Sequence, residues 1–289
     1  MTSALLDADE LRELAALARR VRGRAGESVG TAAAARQGKG FELLGHDRYR
    51  PGDDPRAIDW RARMRTGELW VRHHHAEGDG GVRIVVDDSA SMTEPKRQLA
   101  ARVAAAIAVV ASAAALPVAI DGLSGASGPR GGNAERARLD APGARRALHR
   151  LGSLRADGRL GLEAALLRTR RSVRPDEQVV VVSDLADPAP ADELAAALAR
   201  VARRVACVHV IDGRDGELAA DVDELCCAES GRRRRLDDRG AAGFAARVAA
   251  WQRSLAETVR HRGVPLVVAD AARPPRLADV AAALVATWS

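Results

Sequence analysis

From Gly81 onward the chain alternates short, mostly apolar runs with longer stretches of helical periodicity, and this alternation limits the folds open to it. The runs are Val82–Val86, Pro117–Ile120, Gln178–Val182, Val205–Ile211 and Val264–Ala269. Strands without a polar face are covered on both sides, as in a parallel sheet between helix layers. Thr93 is placed to cap a helix whose stripe is Leu99, Val103, Ala106, Ile107 and Val110. Leu162–Leu167, Leu194–Val201, Phe244–Val259 and Leu277–Trp288 are also helical by pattern. Right-handed crossovers then put helices on both faces. The fold class expected is α/β, a doubly wound, mostly parallel sheet of Rossmann type over residues 80–289.

Residues 1–79 read as a smaller N-terminal segment of helix, loops and strand. Asp7 is a candidate N-cap with Glu10 three residues on, followed by the stripe Leu11, Leu14, Ala18 and Val21. Gly-rich and polar sequence runs to about Gly45, a dense polar stretch spans Arg48–Arg65, and a strand is predicted at Leu69–Arg72. His73, His74 and His75 then lead into a Gly-rich link at Gly78–Gly81.

Composition excludes several classes. A hydrophobic content of 47% is incompatible with wholesale disorder. Aromatics at 2% argue against stacking platforms for single-stranded nucleic acid. Lys plus Arg number 45 against 39 acids, a net charge of +6 with both signs interspersed, which describes a soluble mixed-charge surface. Cys207, Cys226 and Cys227 form no metal-type spacing and suggest no disulfide framework. Met1–Glu10 lacks a basic region followed by an apolar stretch, so no signal peptide is expected. Val103–Ile120 touches the length of a membrane span, but its Ala content and Pro117 predict a buried helix running into a buried strand. The expected location is cytoplasmic, with no integral membrane segment.

The chemistry-bearing residues follow the strands. Val82–Val86 runs into Asp87-Asp88-Ser89-Ala90-Ser91, and in an extended chain Asp87, Ser89 and Ser91 project to one side. A carboxylate and two hydroxyls are hard oxygen donors of the type Mg2+ or Mn2+ takes. Asp184 ends the later run Val179–Ser183 and would join them if the two strands are neighbours. The same residue types also cap the helix after a strand, a purely structural alternative.

This DxSxS pattern with a later acid resembles the metal-ion-dependent adhesion site of von Willebrand factor A domains. Upstream, Arg48-Tyr49-Arg50-Pro51-Gly52-Asp53-Asp54-Pro55-Arg56-Ala57-Ile58-Asp59-Trp60 resembles the signature of domain-of-unknown-function family fifty-eight, as does Gly38-Lys39-Gly40-Phe41-Glu42 before it. The resemblance covers roughly residues 36–289. It implies a von Willebrand factor A-like domain in which Asp87, Ser89 and Ser91 match the first site loop and Asp184 the third, with Ser183 where a Thr often stands. The second-loop Thr is missing. Leu160 falls near its position and cannot coordinate a cation, so the site is either altered, with Asp157 reaching in, or non-binding.

The Arg48–Trp60 stretch has two readings: a patch used with a partner, or a self-satisfied clasp. Pro51-Gly52-Asp53-Asp54 is turn chemistry, Arg48 and Arg56 can pair with Asp53, Asp54 or Asp59, and Trp60 can cover a sheet edge. Arg232–Arg235 reads as an edge strand protected by charge. The His73–His75 tract reads as a solvated edge, because alternation lets no more than two converge.

No GxSxG, Walker A or HExxH motif is present. The expectation is a non-enzymatic protein-binding adaptor acting through the adhesion-type site, where a bound divalent cation would keep one position open for a carboxylate of the partner protein. The resemblance implies a MoxR-type AAA+ ATPase partner and chaperone-like maturation of, or metal insertion into, a client protein. The alternatives are a magnesium-dependent hydrolase or phosphotransferase using Asp87, which would want an acid at Ser89, and an Arg-rich nucleic-acid-binding module.

Overall fold

The computed structural model describes residues 5–32, 43–48, 63–64, 66–74, 81–114, 116–123, 161–218, 222–228, 231–236 and 242–287. They fall into two compact units, residues 1–20 with 80–289, and residues 21–79.

The larger unit is built on five parallel strands: β3 (Val82–Val86), β4 (Val118–Gly122), β5 (Gln178–Ser183), β6 (Arg204–Ile211) and β9 (Leu266–Asp270). They lie in the order β4-β3-β5-β6-β9. Between them run α2 (Glu94–Ala113), α3 (Leu162–Arg170), α4 (Ala191–Val201) and α5 (Phe244–His261), and α6 (Leu277–Val285) follows β9. Alternation sends Val85, Val179, Val181, Cys207 and Leu266 to a core shared with Leu162, Leu166, Leu194, Leu198 and Leu255 of α3, α4 and α5. The opposite face, with Ile84, Val86, Val180 and Val182, is covered by α2, which also packs on α6. The doubly wound α/β expectation holds. The apolar run at 103–120 is the buried half of α2 followed by β4, and among the described residues no helix is long and apolar enough to cross a membrane.

The opening of α1 (Ala8–Ala32) belongs with this unit. The expected capping box is formed, with Asp7 N–H donating to Glu10 at 3.0 Å and Glu10 N–H to Asp7 at 2.8 Å. Leu14, Leu17 and Ala18 are buried, whereas Leu11 stays 43% exposed, so the buried stripe is rotated from the one expected. Glu10 pairs with Arg102 of α2, and Glu13 with Arg276 at 2.8 Å. Thr93 stands at the N-cap of α2 but its side chain makes no capping bond; Pro95 in the first turn supplies the helical start instead.

In the smaller unit β1 (Leu43–Arg48) pairs antiparallel with β2 (Trp70–His74). The sequence pattern predicts no strand at β1, because LLGHDR lacks both alternation and β-branched residues and is held by cross-strand pairing. β2 starts one residue later than expected and takes in His73 and His74. Tyr49–Trp60, His75, Asp157 and Leu160 lie outside the described residues. β7 (Glu224–Cys226) and β8 (Arg233–Arg235) form a separate hairpin in which Glu224 pairs with Arg233 at 3.0 Å, so the arginine run is an exposed strand as expected.

One charged residue sits inside β3, an interior strand of the sheet. Arg83 is buried and paired with Asp121 of β4 and with Glu177, whose Oε2 lies 3.0 Å from its Nε. Its third arm donates to the Ser172 carbonyl at 3.2 Å. Removing one partner of a buried pair strands the other's charge. Arg83→Met keeps the volume but leaves Glu177, 2% exposed, without its cation. We expect a loss of about 3 kcal/mol in urea unfolding; a change below about 0.5 kcal/mol, the range of ordinary surface substitutions, would contradict this.

Candidate functional site

β3 and β5 are neighbours, but the chain leaves them in opposite directions, toward β4 from one and β6 from the other. Such a switch point opens a crevice at the strands' carboxyl ends. Asp87 and Asp184 stand at that rim. The Asp87 N–H continues the ladder, donating to the Val182 carbonyl at 2.8 Å.

The four described residues expected to form the site are brought together. Asp87 Oδ1 accepts the Ser89 N–H at 2.9 Å and Oδ2 accepts the Ser183 hydroxyl. The hydroxyls of Ser89 and Ser91 lie 3.0 Å apart, and Ser91 donates to Asp184 Oδ1 at 3.2 Å. Asp87 is 2% exposed. Burial, and next the charge of Asp184, push its carboxyl up to about 6 against the hydrogen bonds from Ser183 and Ser89.

Three participants carry no motif. Lys96, on the first turn of α2, places its ammonium 2.8 Å from Asp184 Oδ2 and 3.4 Å from Asp215 Oδ2. Burial works against its charge, but Asp184 and Asp215 outweigh it and hold the ammonium above its ordinary pKa. Asp215 reaches it from the turn after β6. The next residue, Gly216, lies so close to α5 that a Cβ there would fall 2.7 Å from the Ala245 Cα. The third is His209 of β6. Its Nε2 is 3.1 Å from the Asp184 carbonyl, which only accepts, so Nε2 carries the proton. Burial lowers this imidazole to about 4, chiefly against the pull of Asp184.

The β5–α4 loop is fixed from inside. Leu185, fully buried in the core, adopts φ 54°, and its N–H donates to Ser183 Oγ at 2.9 Å. A left-handed backbone costs a non-glycine residue about 1–2 kcal/mol, here offset by burial of the side chain. Asp187 accepts the Leu162 N–H at 2.6 Å and the Ala189 N–H at 2.8 Å, capping α3 where Gly161 has no side chain to do so.

The donors can be weighed against the Mg2+ or Mn2+ of the expected adhesion-type site. Ser89, Ser91, Asp87 and Asp184 offer hard oxygens. However, Asp184 already serves Ser91 and the Ala186 N–H with one oxygen and the Lys96 ammonium with the other. Among the described residues no three His, Cys, Asp or Glu side chains gather to hold a metal ion. A divalent ion would face a buried like charge, and this set does not fit it as arranged.

The family model described as "Protein of unknown function DUF58" matches residues 46–253. The chain belongs to this family. Uncharacterized proteins of Mycobacterium tuberculosis (strain H37Rv) and Mycobacterium bovis are each 32% identical to it over 229 residues, covering 76% of this chain and 71% of the relative. Among solved structures, a von Willebrand factor type A protein from Catenulispora acidiphila aligns with TM-score 0.35 and 20% identity over 64% of this chain and 44% of that one.

His209 yields a pH dependence. An unfolded histidine binds its proton near 6.5 and the folded one near 4, so the unfolded state holds more protons between them. His209's contribution is fully present above 6.5 and is lost as pH falls toward 4. His209→Gln is expected to flatten the fall in urea stability across that window by on the order of 2 kcal/mol. Parallel curves for wild type and variant would refute the assignment.

Proposed function

We propose that this protein is a cytoplasmic, non-enzymatic adaptor whose β3–β5 rim docks a partner protein. The partner is a MoxR-type AAA+ ATPase, and the pair acts in chaperone-like maturation of a client or insertion of its metal. Family membership supports the choice of partner through the resemblance already described. The observation that carries the reading is that the rim's acids and hydroxyls bond to one another and to Lys96. This makes a stiff, chemically quiet platform. An aspartyl nucleophile needs an open oxygen, and the near-complete burial and double hydrogen bonding of Asp87 weigh against phosphotransfer.

Around the platform, Arg273 stands exposed on the turn after β9, whereas the guanidinium of Arg214, on the turn after β6, is held by the buried Asp212 at 3.0 and 2.9 Å. Exposed cations at a rim steer an acidic partner surface and hold it by complementary charge. The ATPase supplies the energy of ATP turnover, while this chain supplies specificity for the client.

Binding of the purified full-length chain to a purified MoxR-type ATPase from the same organism, with ATP present, tests this. Arg273→Glu is expected to weaken it at least tenfold, about 1.4 kcal/mol, while circular dichroism and melting stay unchanged. No binding by wild type, or equal binding by the variant, would overturn the proposal.

A further inference from the structure

Of the 45 lysines and arginines only Lys39 and Lys96 are lysines. The chain meets nearly every need for positive charge with a guanidinium, yet at the buried rim it places an ammonium. The two groups differ physically. Arginine is a broad planar fork, whereas lysine carries a compact point charge with three donors on a flexible stem. A compact cation among hard oxygens is also what a divalent metal provides. We infer that Lys96 is the resident cation of the β3–β5 rim, a tethered ammonium that completes the oxygen cluster without metal.

Three observations carry this beyond a simple ion pair. Lys96 and Asp184 are 5% and 4% exposed, so the contact is removed from solvent. Asp184 Oδ1 faces the Ser89–Ser91 hydroxyl pair through Ser91, while Oδ2 faces Lys96, so one carboxylate joins the candidate metal donors to the ammonium. Asp215 then supplies a second carboxylate from a different turn, held in place by the close approach at Gly216. A divalent ion drawing on Asp184 would have to displace the ammonium and leave it buried beside a stronger positive charge. The charge balance inside this rim is therefore independent of divalent-ion concentration. The inference rests on the geometry of the cluster and stands whether or not the ATPase docks there.

The test is a Mn2+ titration of the full-length chain, with free Mn2+ followed by electron paramagnetic resonance. Wild type is expected to take up no stoichiometric Mn2+ at submillimolar concentration. Lys96→Met, which vacates the ammonium's place, is expected to gain one site at least tenfold tighter than any wild-type uptake, lost again in Lys96→Met with Asp184→Asn. Should Lys96→Met fail to fold, Lys96→Met with Asp215→Asn removes one carboxylate with the ammonium and replaces it in the titration. Stoichiometric uptake by wild type that disappears in Asp184→Asn would overturn the inference. So would a folded Lys96 variant that gains no site.

Discussion

The 2.8 Å contact between Lys96 and Asp184 ties the helix that follows β3 to the loop that follows its neighbour β5. Around it the rest of the rim falls into place. Ser91 can bond to Asp184 because that carboxylate is held at the crevice, and Ser89 is positioned by Ser91 and by Asp87. The conflict between Asp87 and Asp184, two buried acids at adjacent strand ends, is relieved in two ways. One acid is raised toward neutrality and given hydroxyl and amide donors, and the other is matched by an ammonium. Buried polar groups tolerate this only when each is satisfied.

The supporting scaffold has few degrees of freedom. β3 and β5 are completely buried and paired in register along their length, so Asp87 and Asp184 cannot move apart without breaking the ladder. The strained backbone at Leu185 is paid for by its place in the core, and it turns the chain toward Asp187, which anchors the start of α3. Rigidity at this rim therefore comes from apolar burial one residue away from the charges. Such a platform suits recognition by shape and charge.

Much of this was legible in the chain. VRIVV, QVVVV and VACVHVI announce covered strands, and the topology rule for parallel sheets then puts Asp87 and Asp184 at one end of the sheet. The four-residue cluster followed from strand ends alone. Lys96 and Asp215 did not. Lys96 sits in a helix start with Glu94, Arg97 and Gln98, where an isolated lysine looks solvated, and Asp215 is one of several acids in a polar turn. The usable signal was rarity, a lysine in a chain of arginines. β1 and β7 were hidden for another reason, since short ribbons held by cross-strand pairing need no apolar period. Leu11 illustrates a third limit: helical periodicity finds an amphipathic face, but tertiary packing rotates it by a residue or two.

The most direct measure of the central claim is a double-mutant cycle on unfolding free energy between Lys96→Met and Asp184→Asn. If the ammonium and carboxylate are one buried unit, the single changes should each be costly and the pair should recover much of the loss, a coupling of about 2 kcal/mol or more. Additivity to within about 0.5 kcal/mol would mean that the two side chains do not act on each other, and the metal-free rim would have lost its foundation.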